Sequence, residues 1–192
     1  MLMEKAFQET AEVTMSEVSV IPKFFEGLSE GTDDPDAPVI AAGAEASPVI
    51  YLITRNESLE GDIHPVTGVP FERKSIELSS GEVIEGVFPE FASMFEAEIP
   101  EDLYQETDYK QFKSCNEQLY EAIEKTPELK KRFSEEQLEQ IKDGIADGGA
   151  PDGYVWHHCP EPGKIMLVDF EIHAGTGHTG GRSVWGGGNE NR

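Results

Sequence analysis

Four of the five histidines in this chain lie between positions 157 and 178: His157 and His158 side by side, then His173 and His178. Neutral imidazole is the commonest metal ligand among side chains, and its titration near neutral pH also suits it to general acid–base work. The cluster therefore points to a metal site, to proton chemistry, or to both. On a regular strand His157 and His158 diverge, because successive residues face opposite sides. The two then have different jobs: one can bind metal while the other handles a proton. His173 and His178 are five apart, slightly more than one helical turn, and converge only if the chain tightens or unwinds at Gly175 and Gly177. Glycine makes that distortion cheap.

The neighbouring sequence supplies elements that could aim these side chains. Tyr154 to His158 reads as a strand, Cys159-Pro160-Glu161-Pro162-Gly163 as a turn and Lys164 to Val168 as a second strand, which together predict a hairpin. Asp169 then caps a short helix, with Glu171 near its positive end and Gly175, Gly177, Gly180 and Gly181 limiting its length. A hairpin followed by a helix can point one ligand from the hairpin and two from the helix at a single place. The Gly186-Gly187-Gly188 tail reads as flexible unless it packs on the site.

Further upstream, Thr107 offers an N-cap for a helix running to about Lys125, with Tyr109, Phe112, Cys115, Leu119 and Ile123 forming an ordinary apolar core stripe. Ser134 and Gln137 have capping-box spacing, Leu138, Ile141 and Ile145 share one face, and Gly148-Gly149 ends this second helix. Residues 48–149 are thus expected to supply strands and amphipathic helices that support the C-terminal unit, residues 150–192. Pro48 to Thr54 has strand length and composition, as an isolated strand or an edge of the core. Compact structure is expected to begin near the turns of His64 to Phe71, with a short strand following and another around Val83 to Phe88. Residues 1–47 read as an acidic, weakly ordered lead-in, broken at Gly31 to Pro38 and followed by small residues from Ala41 to Ala46.

Charge narrows the partners. The 38 acidic and 15 basic residues give a formal net charge of −23, which repels polyanions at long range. It is unevenly spread: residues 1–62 hold 13 acids and 3 bases, residues 63–149 hold 20 and 9, and residues 150–192 hold 5 and 3. The histidine-rich end is nearly neutral. Cys115 and Cys159 are the only cysteines, too few for a disulfide framework or a four-cysteine zinc site. The chain has no apolar run long enough for a membrane span and no basic-then-apolar signal segment.

The run Gly153-Tyr154-Val155-Trp156-His157-His158, followed by Met166-Leu167-Val168, His173 and His178-Thr179-Gly180-Gly181, resembles the Trp-His-His nucleases of the HNH/endonuclease VII superfamily, which occur mostly as C-terminal toxin domains of bacterial polymorphic toxins. The segment from His64 through Gly86-Val87-Phe88-Pro89-Glu90-Phe91 resembles the region ahead of that motif, less specifically. Asp169 departs from the pattern, standing where the family often has proline.

The resemblance implies an α+β fold: a C-terminal ββα-metal (HNH, His-Me finger) hairpin–helix core preceded by a helical segment and the acidic N-terminal region. It also implies single-metal hydrolysis of phosphodiester bonds, in DNA. By position His157, His173 and His178 would hold one divalent metal ion and His158 would be the general base. Histidine-only ligation suits zinc or nickel, whereas magnesium, like manganese, prefers oxygen, so the ligands leave the working ion open. Arg182, just past the last ligand, could clamp a phosphate oxygen through paired N–H donors; otherwise it is a solvated surface arginine. The implied partners are nucleic acid and a cognate immunity protein. The implied location is the target-cell cytoplasm, reached by a toxin delivered without a cleaved signal peptide; failing that, the protein is cytoplasmic.

Plainer readings stand beside these. The histidines could form a structural zinc site completed by Cys159, in a non-catalytic acidic binding or immunity-like protein that turns its carboxylates on a basic partner. Trp156 and Trp185 read as packing residues, His64 as a turn residue that could support the site, and Cys159 as incidental to it.

Overall fold

The computed structural model describes residues 48–188, so the lead-in expected at residues 1–47 lies outside the described residues. In chain order the elements are β1 (Val49–Tyr51), β2 (Phe71–Glu77), β3 (Val83–Pro89), β4 (Ser93–Glu98), α1 (Asp108–Lys125), α2 (Pro127–Lys130), α3 (Glu135–Asp147), β5 (Tyr154–His158), β6 (Lys164–Asp169) and α4 (Phe170–Thr176). The fold is α+β, as the sequence predicts. No described helix is long and apolar enough to cross a membrane.

The strands make two three-stranded sheets, ordered β1-β3-β2 and β4-β6-β5. Ordered structure starts earlier than His64: β1 runs parallel to β3, with Val49 opposite Val83, and forms an edge of the first sheet. The chain keeps following β3 beyond β1, since Leu52 N donates to Glu85 O at 2.8 Å and Thr54 Oγ1 to Val87 O at 2.6 Å. Such a pairing spans more than thirty positions and leaves no local signature. β4 is the strand absent from the sequence reading. A bulge between Ser93 and Phe95 breaks its alternation.

α1 and α3 pack together, and their buried residues Cys115, Leu119, Ile123 and Ile141 join Phe88, Trp156, Ile165, Leu167 and Trp185 in the main core. The Ser134 capping box forms: Gln137 N donates to Ser134 Oγ at 3.1 Å and Ser134 N to Gln137 Oε1 at 2.9 Å. Gly148 closes α3 at φ 77°, a left-handed conformation in which glycine pays no Cβ penalty. One member of the α1 stripe is misplaced by the sequence. Tyr109 is half exposed, and Gln111 is fully buried on the face shared with Cys115 and Leu119.

The hairpin divides the interior by strict alternation. On β6, Ile165 and Leu167 enter the main core, while Met166 and Val168 enter a second cluster with Val69, Phe91 and Cys159. On β5, Trp156 faces the main core, and His157, paired across the ladder with Met166, faces the second cluster. Each buried aliphatic or aromatic side chain contributes about 1.5–3 kcal/mol. A one-residue register slip would exchange the two sets, so packing on both faces holds the histidines in place.

Candidate active site

Alternation along β5 separates the adjacent histidines. His157 points to the face where α4 packs, and α4 is set there by its cap, since Ile172 N donates to Asp169 Oδ1 at 2.9 Å. His173 lies on α4. His178 follows Gly177, whose φ of 45° turns the chain back toward the hairpin, supplying the distortion that the glycines suggested. His157 Nδ1 then lies 3.3 Å from His173 Nε2 and 3.2 Å from His178 Nε2, and one ligand atom from each of the three falls within 4.8 Å of the others.

The chemistry of this donor set fits a cation. Burial holds His157 well below the ordinary imidazole range, helped by His178 and His173. Burial likewise lowers His173, and with His173 and Arg55 it brings His178 down to about 3. Three neutral rings therefore turn nitrogens toward one point, where proton sharing satisfies only some of the close pairs. His157 Nδ1 is 3.2–3.3 Å from both other nitrogens, close enough for all three to share one small cation.

Phe91 forms the apolar wall of this group, its ring centroid 4.8 Å from His157, 5.4 Å from His173 and 5.1 Å from His178. The loop after β1 forms the other wall. Asn56 Nδ2 donates to Thr176 O at 3.1 Å and to Gly177 O at 2.6 Å, and Arg55 N donates to Thr179 Oγ1 at 2.9 Å, so His178 is bracketed on both sides. Asn56 itself sits at φ 67°, in the left-handed region that asparagine tolerates better than most residues.

His158 faces the other way, 8% exposed, between the rings of Phe112 and Trp185. Gln111 Nε2 donates to Leu103 O at 2.7 Å and Tyr104 O at 2.9 Å, which turns Gln111 Oε1 toward His158 Nε2 at 2.6 Å. An amide oxygen only accepts, so His158 carries its proton on Nε2, and in the neutral ring the lone pair is on Nδ1.

Arg182 is not the phosphate clamp that its position in sequence suggested. It is 4% exposed and internally bonded: Nη1 lies 2.7 Å from Asp108 Oδ1 and donates to Gln111 Oε1 at 2.9 Å, while Nε donates to Gly188 O at 3.2 Å. A chain that folds back beyond the last ligand carries this guanidinium inward, and it braces the residues behind His158. The same bond ties down Gly188 of the glycine tail.

The remaining candidates fall away from the cluster. Cys159 is not among the converging groups. Its thiol is buried and pushed up to about 12, chiefly by that burial and then by Glu161, so the site completed by a cysteine does not form. Trp185 packs in the core and donates from Nε1 to Cys159 O at 2.8 Å. His64 Nδ1 lies 3.0 Å from Thr67 Oγ1, which is 2.8 Å from Thr176 Oγ1, so His64 braces a turn against α4. Sequence reasoning missed Phe91, Gln111, Arg55 and Asn56 as site residues. Only Gln111 had a usable signal: it stands four and eight positions before Cys115 and Leu119, a polar residue in register with an apolar face.

Fold and site together define an α+β domain with a histidine centre enclosed by a hairpin and a short helix. The family described as the DNase/tRNase domain of colicin-like bacteriocin matches residues 80–180, more than half of the chain. The chain belongs to this family and is a nuclease toxin domain, a hydrolase, which removes the non-catalytic alternative. No curated protein and no solved structure matches it. The matched segment holds all four clustered histidines and leaves out Arg55, Asn56 and Arg182.

Proposed function

We propose that this domain is a metal-dependent endonuclease of the HNH type, within the Trp-His-His group, acting on DNA. The observation that carries the reading is the convergence of one nitrogen each from His157, His173 and His178 within 4.8 Å. These three residues would hold one divalent ion, and their all-nitrogen set favours zinc over magnesium, with nickel or manganese as further options. A bound ion would polarise the phosphate and neutralise the leaving oxygen.

His158 is the proposed general base. In that role the ring would take a proton from the attacking water, and Gln111, itself held by Arg182, orients it. The burial of His158 between Phe112 and Trp185 favours a second reading, a purely structural histidine. Metal content and cleavage separate the two. His158→Ala should abolish plasmid cleavage while leaving metal content intact, and a variant that still cuts rules out the base.

As a bacteriocin-type nuclease the protein would be delivered from its producer into a target cell, and the producer would need a cognate immunity protein. The near-neutral charge of residues 150–192 supports the substrate approaching from the histidine side. Incubation of the purified protein with plasmid DNA and total RNA, with zinc, magnesium, manganese or nickel, tests the whole proposal. Inactivity toward both substrates with every metal would overturn it, and cleavage of RNA alone would overturn the choice of DNA.

A further inference from the structure

α4 carries one of the three converging histidines, yet apolar burial does little to hold it. It has seven residues, too few to stand as a helix on its own. Its side chains Phe170 and Ile172 are 49% and 42% exposed, and its one buried residue is polar, Thr176. Asp169 caps the first turn. The last turn needs a different anchor, and Thr176 stands there, three positions beyond His173 and so its neighbour on the helix surface.

The turn formed by residues 64–68 supplies that anchor. Thr176 Oγ1 donates to Ile172 O at 2.6 Å, which spends its single proton, so the Thr67 hydroxyl donates to Thr176 Oγ1 at 2.8 Å. Thr67 Oγ1 also lies 3.0 Å from His64 Nδ1. The turn is closed on itself, with His64 N donating to Val69 O at 2.7 Å and Gly68 N to His64 O at 2.9 Å. Val69 is buried in the same cluster as Phe91, the wall of the histidine group. The turn lies directly on the helix, since a Cβ built at Gly175 would fall 3.0 Å from Thr67 Cγ2. Thr176 is fully buried, so water does not reach its hydroxyl to replace the bond from Thr67.

We propose that Thr67 and Thr176 form a hydroxyl latch that positions His173. Through it the turn at 64–68, which lies outside the matched segment 80–180, holds α4 so that the His173 ring stands beside His157 and His178 before an ion arrives. Both threonines act through His173 and are positioning residues. The inference rests on the metal centre proposed above.

The test takes the full chain as wild type, Thr67→Val, Thr176→Val, the double variant and Thr67→Ser, and measures zinc affinity by calorimetry and amide hydrogen exchange of the metal-free protein. Each valine keeps the shape and removes the hydroxyl. One net hydrogen bond corresponds to a factor of about 2–12 in an equilibrium constant. Zinc affinity should fall by about that factor in each single valine variant, and by less than the product of the two in the double variant, because both remove the same bond. Thr67→Ser keeps the hydroxyl and should bind zinc like wild type. Exchange at residues 170–176 should quicken by a similar factor in the valine variants while α1 and α3 stay unchanged. Wild-type zinc affinity in Thr67→Val overturns the positioning role, and so does exchange that quickens throughout the domain, which would make the bond a general contribution to stability. A wild type that binds no zinc overturns the metal centre instead, and exchange at α4 then decides the latch by itself.

Discussion

Replacing Asn56 should loosen the corner that carries His178. Its Nδ2 donates to Thr176 O at 3.1 Å and Gly177 O at 2.6 Å, and its backbone is left-handed at φ 67° and ψ 23°. Two such hydrogen bonds contribute about 1–3 kcal/mol together. Alanine also pays about 1–2 kcal/mol to adopt a left-handed conformation, part of which asparagine already pays. Asn56→Ala should therefore lose about 2–4 kcal/mol, a Tm drop of roughly 4–16 °C for a chain of this size. Asn56→Gly relieves the backbone but not the lost bonds, so it should fall between wild type and Asn56→Ala. Thermal melts of the metal-free protein measure this directly, and calorimetric zinc titration should show weaker binding in both variants, because the ion must then order the corner itself. An Asn56→Ala variant that melts within about 1 °C of wild type and binds zinc unchanged would refute the reasoning. A glycine variant less stable than the alanine one would refute its backbone part.

Three more expectations follow from the same geometry. His178→Ala should lower bound metal in elemental analysis, and unchanged occupancy would remove His178 from the ligand set. Phe91, buried against all three histidine rings, should cost about 3–5 kcal/mol when cut to alanine, read from the urea midpoint; an indifferent midpoint would show that the wall is dispensable. Folding holds His157, His173 and His178 below the unfolded value near 6.5, so the unfolded chain takes up protons first as pH falls. The metal-free domain should keep that stability above pH 6.5 and lose it progressively below, toward about 3 for His178. Denaturant midpoints that stay level from about pH 8 to 5 would contradict this.

The hairpin and its helix could be read from short-range pattern because each is closed by local chemistry: turn residues between two apolar runs, an aspartate cap and glycines at the end. The α1 and α3 spans were legible for the same reason, through the Ser134 capping box and Gly148. β4 was not, and neither was the pairing of β1. β1 exists only as a parallel partner of β3, and β4 carries a bulge that spoils the alternation by which a strand is recognised.

The candidate site divides along the same line. Residue type and spacing, with the resemblance around Trp156-His157-His158, sufficed to name the four histidines and to keep His158 apart from the other three, since adjacent residues on a strand must diverge. Sequence could not say what either face would meet. Packing decided that His157 meets Phe91, His173 and His178 while His158 meets Gln111, because α1 and α4 cover opposite faces of the hairpin. It also took Arg182 out of the substrate's reach and brought Arg55 beside Gly177, from more than a hundred positions away. A side chain's role as ligand, brace or substrate contact depends on which surface the folded chain leaves next to it, and no local pattern encodes that surface.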